Sequence, residues 1–200
     1  MTNRKFFNIK TMAKVSILAA ISFILMEFDF PLPFIAPPFY KLDFSEVAVL
    51  VGGFALGPVA AIAIEAMKVF LSCLFFGSGT AYVGEIANFI MGCAFVLPAV
   101  WYYRKKKTRT SALIGMLMGT ISLAVVGGVA NYFVMLPAYS FFFNLPLETI
   151  ISMGAEVIPF VNSSFTLVLF CTTPFNLIKG FLTCAIVFVL YKHISPILHR

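Results

Sequence analysis

Three lysines and three asparagines are the residues of this chain whose types and positions point to chemistry. They are Lys41, Lys68, Lys179, Asn88, Asn131 and Asn176, and all but Lys41 lie within long apolar segments. An ionisable group in an apolar segment is costly unless it faces a partner or a cavity. A side-chain amide donates and accepts hydrogen bonds at once, which suits a planar heterocycle with alternating C=O and N–H groups. The set predicts a binding pocket.

Polar and aromatic residues near these six extend the predicted pocket. Aromatic rings stack on flat ligands, and the segments that flank the apolar stretches are rich in them. The additional candidate binding residues are Thr80, Glu85, Asp43, Phe39, Tyr40 and Tyr132. A cationic ligand would require acids without lysine partners, and the lysines argue against it.

A structural role for the same residues is the alternative. Glu65 precedes Lys68 by three residues, so the two side chains share one helix face and can form an ion pair. Lys68 can instead extend its ammonium group to the lipid headgroups. Each asparagine can simply hydrogen-bond a neighbouring helix. The sequence alone does not decide between these structural roles and a ligand-binding pocket.

The composition determines which elements must position these residues. Hydrophobic residues make up 61% of the 200, charged residues only 11%, and the mean hydropathy is +1.00. A soluble domain is about half apolar and a quarter charged, so a soluble enzyme is excluded, and so is a disordered chain. About 122 apolar residues, at about 20 per membrane span, suffice for six spans. We therefore expect one integral membrane domain, residues 1–200, with an all-α fold.

The apolar segments define a six-helix bundle. The expected spans are 12–28, 47–56, 59–76, 86–103, 112–139 and 173–194, and residues 165–172 are expected to form an apolar loop against the bundle. Long outer loops are expected after the first helix, where prolines are dense, and between the fifth and sixth helices. The loops assigned to the inside hold 11 of the 14 Lys and Arg residues. Both termini are therefore predicted to be cytoplasmic.

Motifs for catalysis and for nucleotide hydrolysis are missing from the sequence. There is no GxxxxGK[ST], HExxH or GxSxG, and the four cysteines are not in CxxC pairs. The net charge of +6 is attributed to membrane topology, and no nucleic-acid partner is expected. We expect no catalytic residue, metal site or cofactor. Uptake against a gradient would need energy from an ion or from an ATP-hydrolysing partner.

One pair of small residues suggests a partner within the bilayer. Ser16 and Ala20 in the first helix have small-xxx-small spacing, which lets another helix approach closely. Such spacing is also common by chance in alanine-rich spans. The sequence alone leaves both possibilities open.

With these motifs the chain resembles the S components of energy-coupling factor (ECF) transporters, and most of all the riboflavin-specific ones. The resemblance covers nearly the whole chain. It is carried by Lys41-Leu-Asp-Phe-Ser-Glu46, Gly52-Gly-Phe-Ala-Leu-Gly-Pro58, Glu65-Ala-Met-Lys68, Gly79-Thr80, Gly84-Glu-Ile-Ala-Asn88, Asn131-Tyr-Phe-Val-Met-Leu-Pro137 and Pro174-Phe-Asn-Leu-Ile-Lys-Gly180. The last two are the most specific for a flavin carrier.

The resemblance implies a prokaryotic plasma-membrane protein that captures riboflavin outside the cell as its transported ligand. It further implies docking, through the Ser16 and Ala20 face, on a transmembrane coupling (T) subunit driven by two cytoplasmic ATPase subunits. We expect Asn131, Asn176 and Lys179 to bind the polar edge of the ring.

The remaining roles follow the same hypothesis. Thr80, Glu85, Asn88 and Lys68 are expected to bind the ribityl hydroxyls or the carbonyls, and Phe39 and Tyr40 to cover the ring as a lid. The alternatives are an S component for another vitamin, such as thiamine or pyridoxine, an ion-coupled secondary carrier, and a membrane enzyme without a known motif.

Overall fold

The structure of the chain is a computed structural model that describes residues 8–79 and 81–198. Helices dominate it, with one two-stranded hairpin. Two short π-helices, here π1 and π2, interrupt otherwise α-helical segments. The elements in order are α1 (Ile9–Glu27), β1 (Phe30–Pro31), β2 (Lys41–Leu42), α2 (Ser45–Leu56), α3 (Pro58–Phe76), α4 (Val83–Lys106), α5 (Arg109–Ala130), π1 (Asn131–Met135), α6 (Leu136–Phe143), α7 (Leu147–Val157), α8 (Ser164–Leu167), π2 (Val168–Thr172) and α9 (Thr173–Leu198).

Five helical segments within the described residues are long and apolar enough to cross a membrane. They are Ile9–Glu27, Pro58–Phe76, Val83–Lys106, Arg109–Phe143 and Ser164–Tyr191. The helix α2 is apolar but has only 12 residues, which is shorter than a bilayer requires. The mostly helical architecture expected from the sequence is therefore confirmed, with five apolar helices among the described residues that are long enough to cross a membrane.

Glycine and proline set the boundary between α2 and α3. Gly57 has a φ of +106°, a conformation that other residues rarely adopt, and Pro58 follows at the start of α3. Proline is favoured there because its missing N–H has no partner in the first turn. The two residues thus lie between the expected spans 47–56 and 59–76, where one helix ends and the next begins.

The main apolar core surrounds α2. Leu50 and Ile64 are fully buried there with residues of α4 and α5. The helices α4 and α5 pack closely because Gly119 has no side chain, and a Cβ there would lie 2.2 Å from the carbonyl oxygen of Phe95. Close approach at small residues is the usual way in which helices associate within a membrane.

The sixth helix differs from its prediction. Residues 165–172 are helical and not an apolar loop, and the continuous segment starts at Ser164. A proline in a regular helix loses a hydrogen bond and clashes with the preceding turn. Here π2 directly precedes the turn that holds Pro174, and its wider turn accommodates the ring. The Thr173 hydroxyl also donates to the Val168 carbonyl, at 3.0 Å.

The fifth helix contains the same combination. It runs through π1 to Phe143, four residues beyond the expected end, with Pro137 just after π1. The following segment, expected to be a long outer loop, contains α7.

The proline-rich segment after α1, residues 28–44, folds over one end of the bundle. Its base is closed by the antiparallel pairs Phe30 with Leu42 and Pro31 with Lys41, which the sequence analysis did not predict. Ala36 and Leu42 are fully buried in a second apolar core with residues of α6, α7 and α9. This segment is therefore a packed cover rather than an extended loop.

Candidate ligand-binding site

A cavity of about 530 Å³ lies beneath this cover. That volume is within the range of small-molecule sites, which is roughly 300–1,000 Å³. Parts of α1, α3, α4, α5, π1 and α9 form its wall. Nine of the predicted binding residues line it, namely Phe39, Tyr40, Lys41, Asp43, Glu85, Asn88, Asn131, Asn176 and Lys179.

The Tyr40 hydroxyl joins the cover to both π-helices. It lies 3.1 Å from Asn131 Oδ1 in π1 and 2.7 Å from Thr172 Oγ1 in π2. Burial raises the pKa of the Tyr40 phenol well above its ordinary value, so this hydroxyl keeps its proton and donates. The Tyr40 ring also contacts Phe175, with the centroids 5.6 Å apart.

Asn131 and Asn176 converge over Gly127. The Asn131 amide nitrogen donates to the Gly127 carbonyl at 2.9 Å, and a Cβ on Gly127 would lie 2.3 Å from Asn176 Nδ2. Asn176 is 1% exposed, and its Nδ2 has no hydrogen-bond partner. A buried donor without a partner costs about 1–3 kcal/mol. Because Asn176 lines the cavity, a ligand acceptor would satisfy it.

Lys179 in α9 is held by Asp43. Its Nζ lies 2.7 Å from Asp43 Oδ2, and the Ser45 backbone N–H donates to Asp43 Oδ1 at 2.9 Å. Burial alone raises the pKa of the Asp43 carboxyl, but attraction to the Lys179 and Lys68 ammonium groups prevails and lowers it to about 2. The Asp43 carboxyl is therefore ionised at neutral pH.

Lys68 lies behind the wall of the cavity. Its ammonium group is fully buried, 2.8 Å from Glu46 Oε1 and 2.6 Å from Glu65 Oε1. The ion pair with Glu65 is the structural role that the sequence analysis kept open. Gly92 leaves room for it, since a Cβ there would lie 2.2 Å from Glu65 Oε1. Glu46 lines the cavity and separates Lys68 from it.

The other predicted residues lie at the edge of the site or outside it. Lys41 pairs with Asp29 at 3.1 Å and is 54% exposed at the side chain. Tyr132 is absent from the cavity lining, and its ring packs edge-on against Phe133. Thr80 lies outside the described residues. Ser16 and Ala20 are both exposed on α1, away from the cavity.

Three carboxylates of the cavity, those of Glu27, Asp29 and Glu46, were missed by the sequence analysis. Glu46 appears there only within a motif, and Glu27 and Asp29 are given no role. Glu27 lines the cavity and accepts a hydrogen bond from the Ser72 hydroxyl at 2.8 Å. An acid at the end of an apolar segment looks like an ordinary helix terminus, and only the packing of α1 against α3 brings it to the cavity.

The arrangement suits ligand binding. Polar side chains from several helices, including the unpartnered Asn176 Nδ2, line one cavity. A helical membrane protein with such a covered polar cavity is, by its architecture, a membrane-embedded binding protein.

Comparison with known proteins defines the class further. The family model of the substrate-specific component of ECF transporters matches residues 10–191. The chain is 36% identical to the "Riboflavin transporter RibU" of Staphylococcus aureus (strain TCH60), over 96% of this chain and 93% of that protein. It is 31% identical to the "Riboflavin transporter FmnP" of Bacillus subtilis (strain 168), over 94% and 93%.

A solved structure gives the same result. The S component of a bacterial ECF transporter superposes with a TM-score of 0.73 at 33% identity, over 96% of this chain and 98% of that one. The chain belongs to the family of ECF transporter substrate-specific components. It is thus a transport component and not an enzyme.

Proposed function

We propose that this chain is the riboflavin-binding subunit of an ECF-type vitamin importer. The observation that carries the proposal is the buried Asn176 Nδ2 without a partner, which faces the cavity near Asn131 and Lys179. The polar edge of a flavin ring supplies carbonyl acceptors for such donors and an N–H for an amide oxygen. The names of the relatives from S. aureus and B. subtilis support the same ligand.

In this proposal the ring and the ribityl chain of the flavin contact different parts of the cavity wall. Asn131, Asn176 and Lys179 bind the polar edge of the ring, and Phe39 and Tyr40 cover it. The ribityl hydroxyls bind Glu85 and Asn88 on α4, with Thr80 nearby in sequence.

Lys41 and Asp43 act at the cover, each within an ion pair. Lys68 contributes through Glu46, which it holds in the cavity wall.

The energy for uptake comes from partners in the same proposal. The covered end faces the outside of a prokaryotic plasma membrane, and both termini face the cytoplasm. A transmembrane coupling subunit docks on α1 at Ser16 and Ala20, and two cytoplasmic ATPase subunits drive it. Because both small residues are exposed in the isolated chain, this face is available to another helix.

A binding titration of the purified full chain in detergent tests the proposal. Riboflavin fluorescence is expected to be quenched on binding, and protein from cells is expected to carry flavin absorbance. Asn131→Ala and Lys179→Ala each remove one ring contact and should weaken binding about tenfold or more. Asn162→Ala and Lys10→Ala, which lie away from the cavity, are the matched controls and should bind normally.

Two results would count against the proposal. A colourless preparation that ignores riboflavin but binds a cationic vitamin such as thiamine would identify a different ligand. Unchanged riboflavin affinity in both cavity variants would place the ligand elsewhere.

A further inference from the structure

The cations of the chain fall into two groups that the structure keeps apart. Lys41, Lys68 and Lys179 belong to the end of the bundle that holds the cavity, and each is paired with an acid. The second group is exposed, in the first two turns of α1 and around the turn between α4 and α5. Its members are Lys10, Lys14, Arg104, Lys105, Lys106, Lys107 and Arg109. None of the ion pairs found among the described residues involves this group.

The packing of α1 against α2 places the first part of this group. The Ser22 hydroxyl donates to the Ser45 carbonyl at 2.9 Å, and a Cβ on Gly52 would lie 3.1 Å from Leu18 Cδ1. The two helices therefore run in opposite directions. The first turns of α1, with Lys10 and Lys14, consequently lie at the end of the bundle where α2 ends, at the turn that contains Gly57.

The turn between α4 and α5 reaches the same end. A Cβ on Gly57 would lie 2.1 Å from Arg104 Nη1, so the Arg104 guanidinium rests directly on the turn between α2 and α3. The Arg109 guanidinium lies 5.9 Å from the centroid of the Tyr191 ring in α9. The exposed cations are thus gathered at the end of the bundle opposite the cavity, which we call the basic end.

The acids of the chain all lie elsewhere. Of the eight Asp and Glu residues, five line the cavity, and Glu65 lies behind its wall. Glu148 and Glu156 are on α7, which packs against the cover. No acidic side chain of the described residues therefore offsets the charge of the basic end, and its natural counter-charge is an external anion.

An exposed apolar surface borders the basic end. Trp101 is 60% exposed on α4, and Ile9 and Met12 are 83% and 53% exposed on α1. Lys105 Nζ lies 3.9 Å from the centroid of the Trp101 ring. Tryptophan is enriched where the apolar part of a membrane meets the headgroups. The basic end therefore stands at headgroup level, with apolar surface directly beside it.

From this arrangement we infer that the basic end binds anionic phospholipid, with the cations on the phosphate of the headgroup and the apolar surface against the acyl chains. Each Lys or Arg close to an anionic membrane surface adds to the attraction, which salt screens. An anionic phospholipid combines the two features that this end presents, a negative head and apolar tails. The inference goes beyond the proposed function, because these residues do not line the cavity.

Trp101 supplies a local readout, since it is the single tryptophan of the chain. The purified full chain is placed in bilayer nanodiscs of phosphatidylcholine that contain a fixed minor fraction of a brominated lipid, which quenches tryptophan on contact. The brominated lipid is phosphatidylglycerol or, in the parallel sample, phosphatidylcholine with the same chains. We expect the anionic lipid to be preferred about threefold or more, and the preference to decline at high salt.

Two triple variants test which groups cause the preference. Lys105→Gln/Lys106→Gln/Lys107→Gln removes three positive charges and should bring the preference close to one. Lys105→Arg/Lys106→Arg/Lys107→Arg keeps the charges, is the matched control and should retain the preference. Riboflavin affinity should equal that of the wild type in both, because none of the three lysines lines the cavity.

Several outcomes overturn the inference. Equal quenching of the wild type by the two brominated lipids would show that the basic end does not select anionic lipid, and a preference that the glutamine variant retains would assign it to other residues. Loss of the preference on adding an equal concentration of glycerol phosphate would indicate a site for free phosphate. Without a lipid preference, loss of partner copurification in the glutamine variant would assign the basic end to an acidic protein surface.

Discussion

Lys68 is a fully buried cation that holds two buried carboxylates, those of Glu46 and Glu65. Removing one partner of a buried ion cluster costs about 3–5 kcal/mol, because the charges that remain lose their compensation. We therefore expect Lys68→Met to lower the unfolding temperature of the detergent-solubilised protein markedly. Riboflavin affinity should fall as well, since Lys68 no longer holds Glu46 in the cavity wall.

Lys41→Met is the matched control for that variant. The Lys41 ammonium pairs with Asp29, but its side chain is 54% exposed, and exposed pairs contribute only about 0–1 kcal/mol. Its unfolding temperature should stay near that of the wild type. Equal losses in the two variants would contradict the structural role assigned to Lys68.

The Tyr40 hydroxyl is a second residue-scale contact with a measurable effect. Tyr40→Phe keeps the ring over Phe175 and removes the bonds to Asn131 and Thr172. A hydrogen bond contributes about 0.5–1.5 kcal/mol, so the ligand should bind about three- to tenfold more weakly. Dissociation should be faster, because the cover is held less firmly.

A double-mutant cycle separates this effect from a general loss of packing. Thr172→Val removes the other hydroxyl of the 2.7 Å contact and keeps the shape of the side chain. If the two residues act together, the double variant loses less affinity than the sum of the single losses. Strict additivity would show that the contact does not secure the cover.

At the scale of single residues, the sequence predicted which lysines and asparagines line the cavity better than it predicted the acids. A lysine or asparagine in an apolar segment is conspicuous by its cost, and Asn131, Asn176 and Lys179 do line the cavity. Glu27 and Glu46 stand at helix ends, where acids are ordinary. Their position depends on contacts between residues 22 and 45 positions apart in sequence, which no local pattern reveals.

Among the elements, π1 and π2 place the ligand-facing residues. A π-helix holds one residue more than an α-helical turn, and each residue turns an α-helix by about 100°. Deleting Val134, which is exposed in π1, should restore a regular α-helix and rotate Met135 and Tyr139 out of the cavity wall. We expect little loss of helicity by circular dichroism and a large loss of riboflavin binding.

The control for the Val134 deletion is a deletion in a regular stretch of the same continuous helical segment. Ile121 is also exposed, but α5 has no extra residue there to remove. Its deletion should lower the unfolding temperature more than deletion of Val134 does. If deletion of Val134 leaves binding intact, the π-helix does not orient the site.

The elements themselves were predictable where local chemistry decides them. The turn at Gly57 and Pro58 follows from backbone preference, and the long spans follow from apolar length. The start at Ser164 was missed because Pro174 in an apolar run is an ordinary signal for a helix end. The hairpin of β1 and β2 depends on packing against distant helices, which sequence alone does not show.

At the scale of the whole molecule, the polar binding residues are grouped at one end, and the outer surface of the helices is apolar. The cavity, its cover and both ion-pair systems lie at one end of the bundle, whereas α1 exposes Ile17, Ile21 and Ile24 along its outer surface. Ser16 and Ala20 are exposed on the same helix, and neither lines the cavity. Ligand capture and partner docking therefore use separate surfaces in the proposed function.

This separation predicts a variant that binds its ligand but cannot transport it. Ala20→Trp places a large side chain where a partner helix would have to approach closely, and it touches no residue of the cavity. Riboflavin affinity of the purified chain should stay within about twofold of the wild type. Copurification with the coupling and ATPase subunits, and riboflavin uptake by cells, should both be lost.

Val125→Trp serves as the control. Val125 is 60% exposed on α5, so this substitution adds the same bulk to a different apolar surface. It should retain both partner copurification and uptake. Loss of uptake in both variants would indicate a general defect in membrane insertion. Full uptake with Ala20→Trp would remove α1 as the docking surface while leaving the binding site as described. The two readouts thus assign binding and docking to different parts of one small helical bundle.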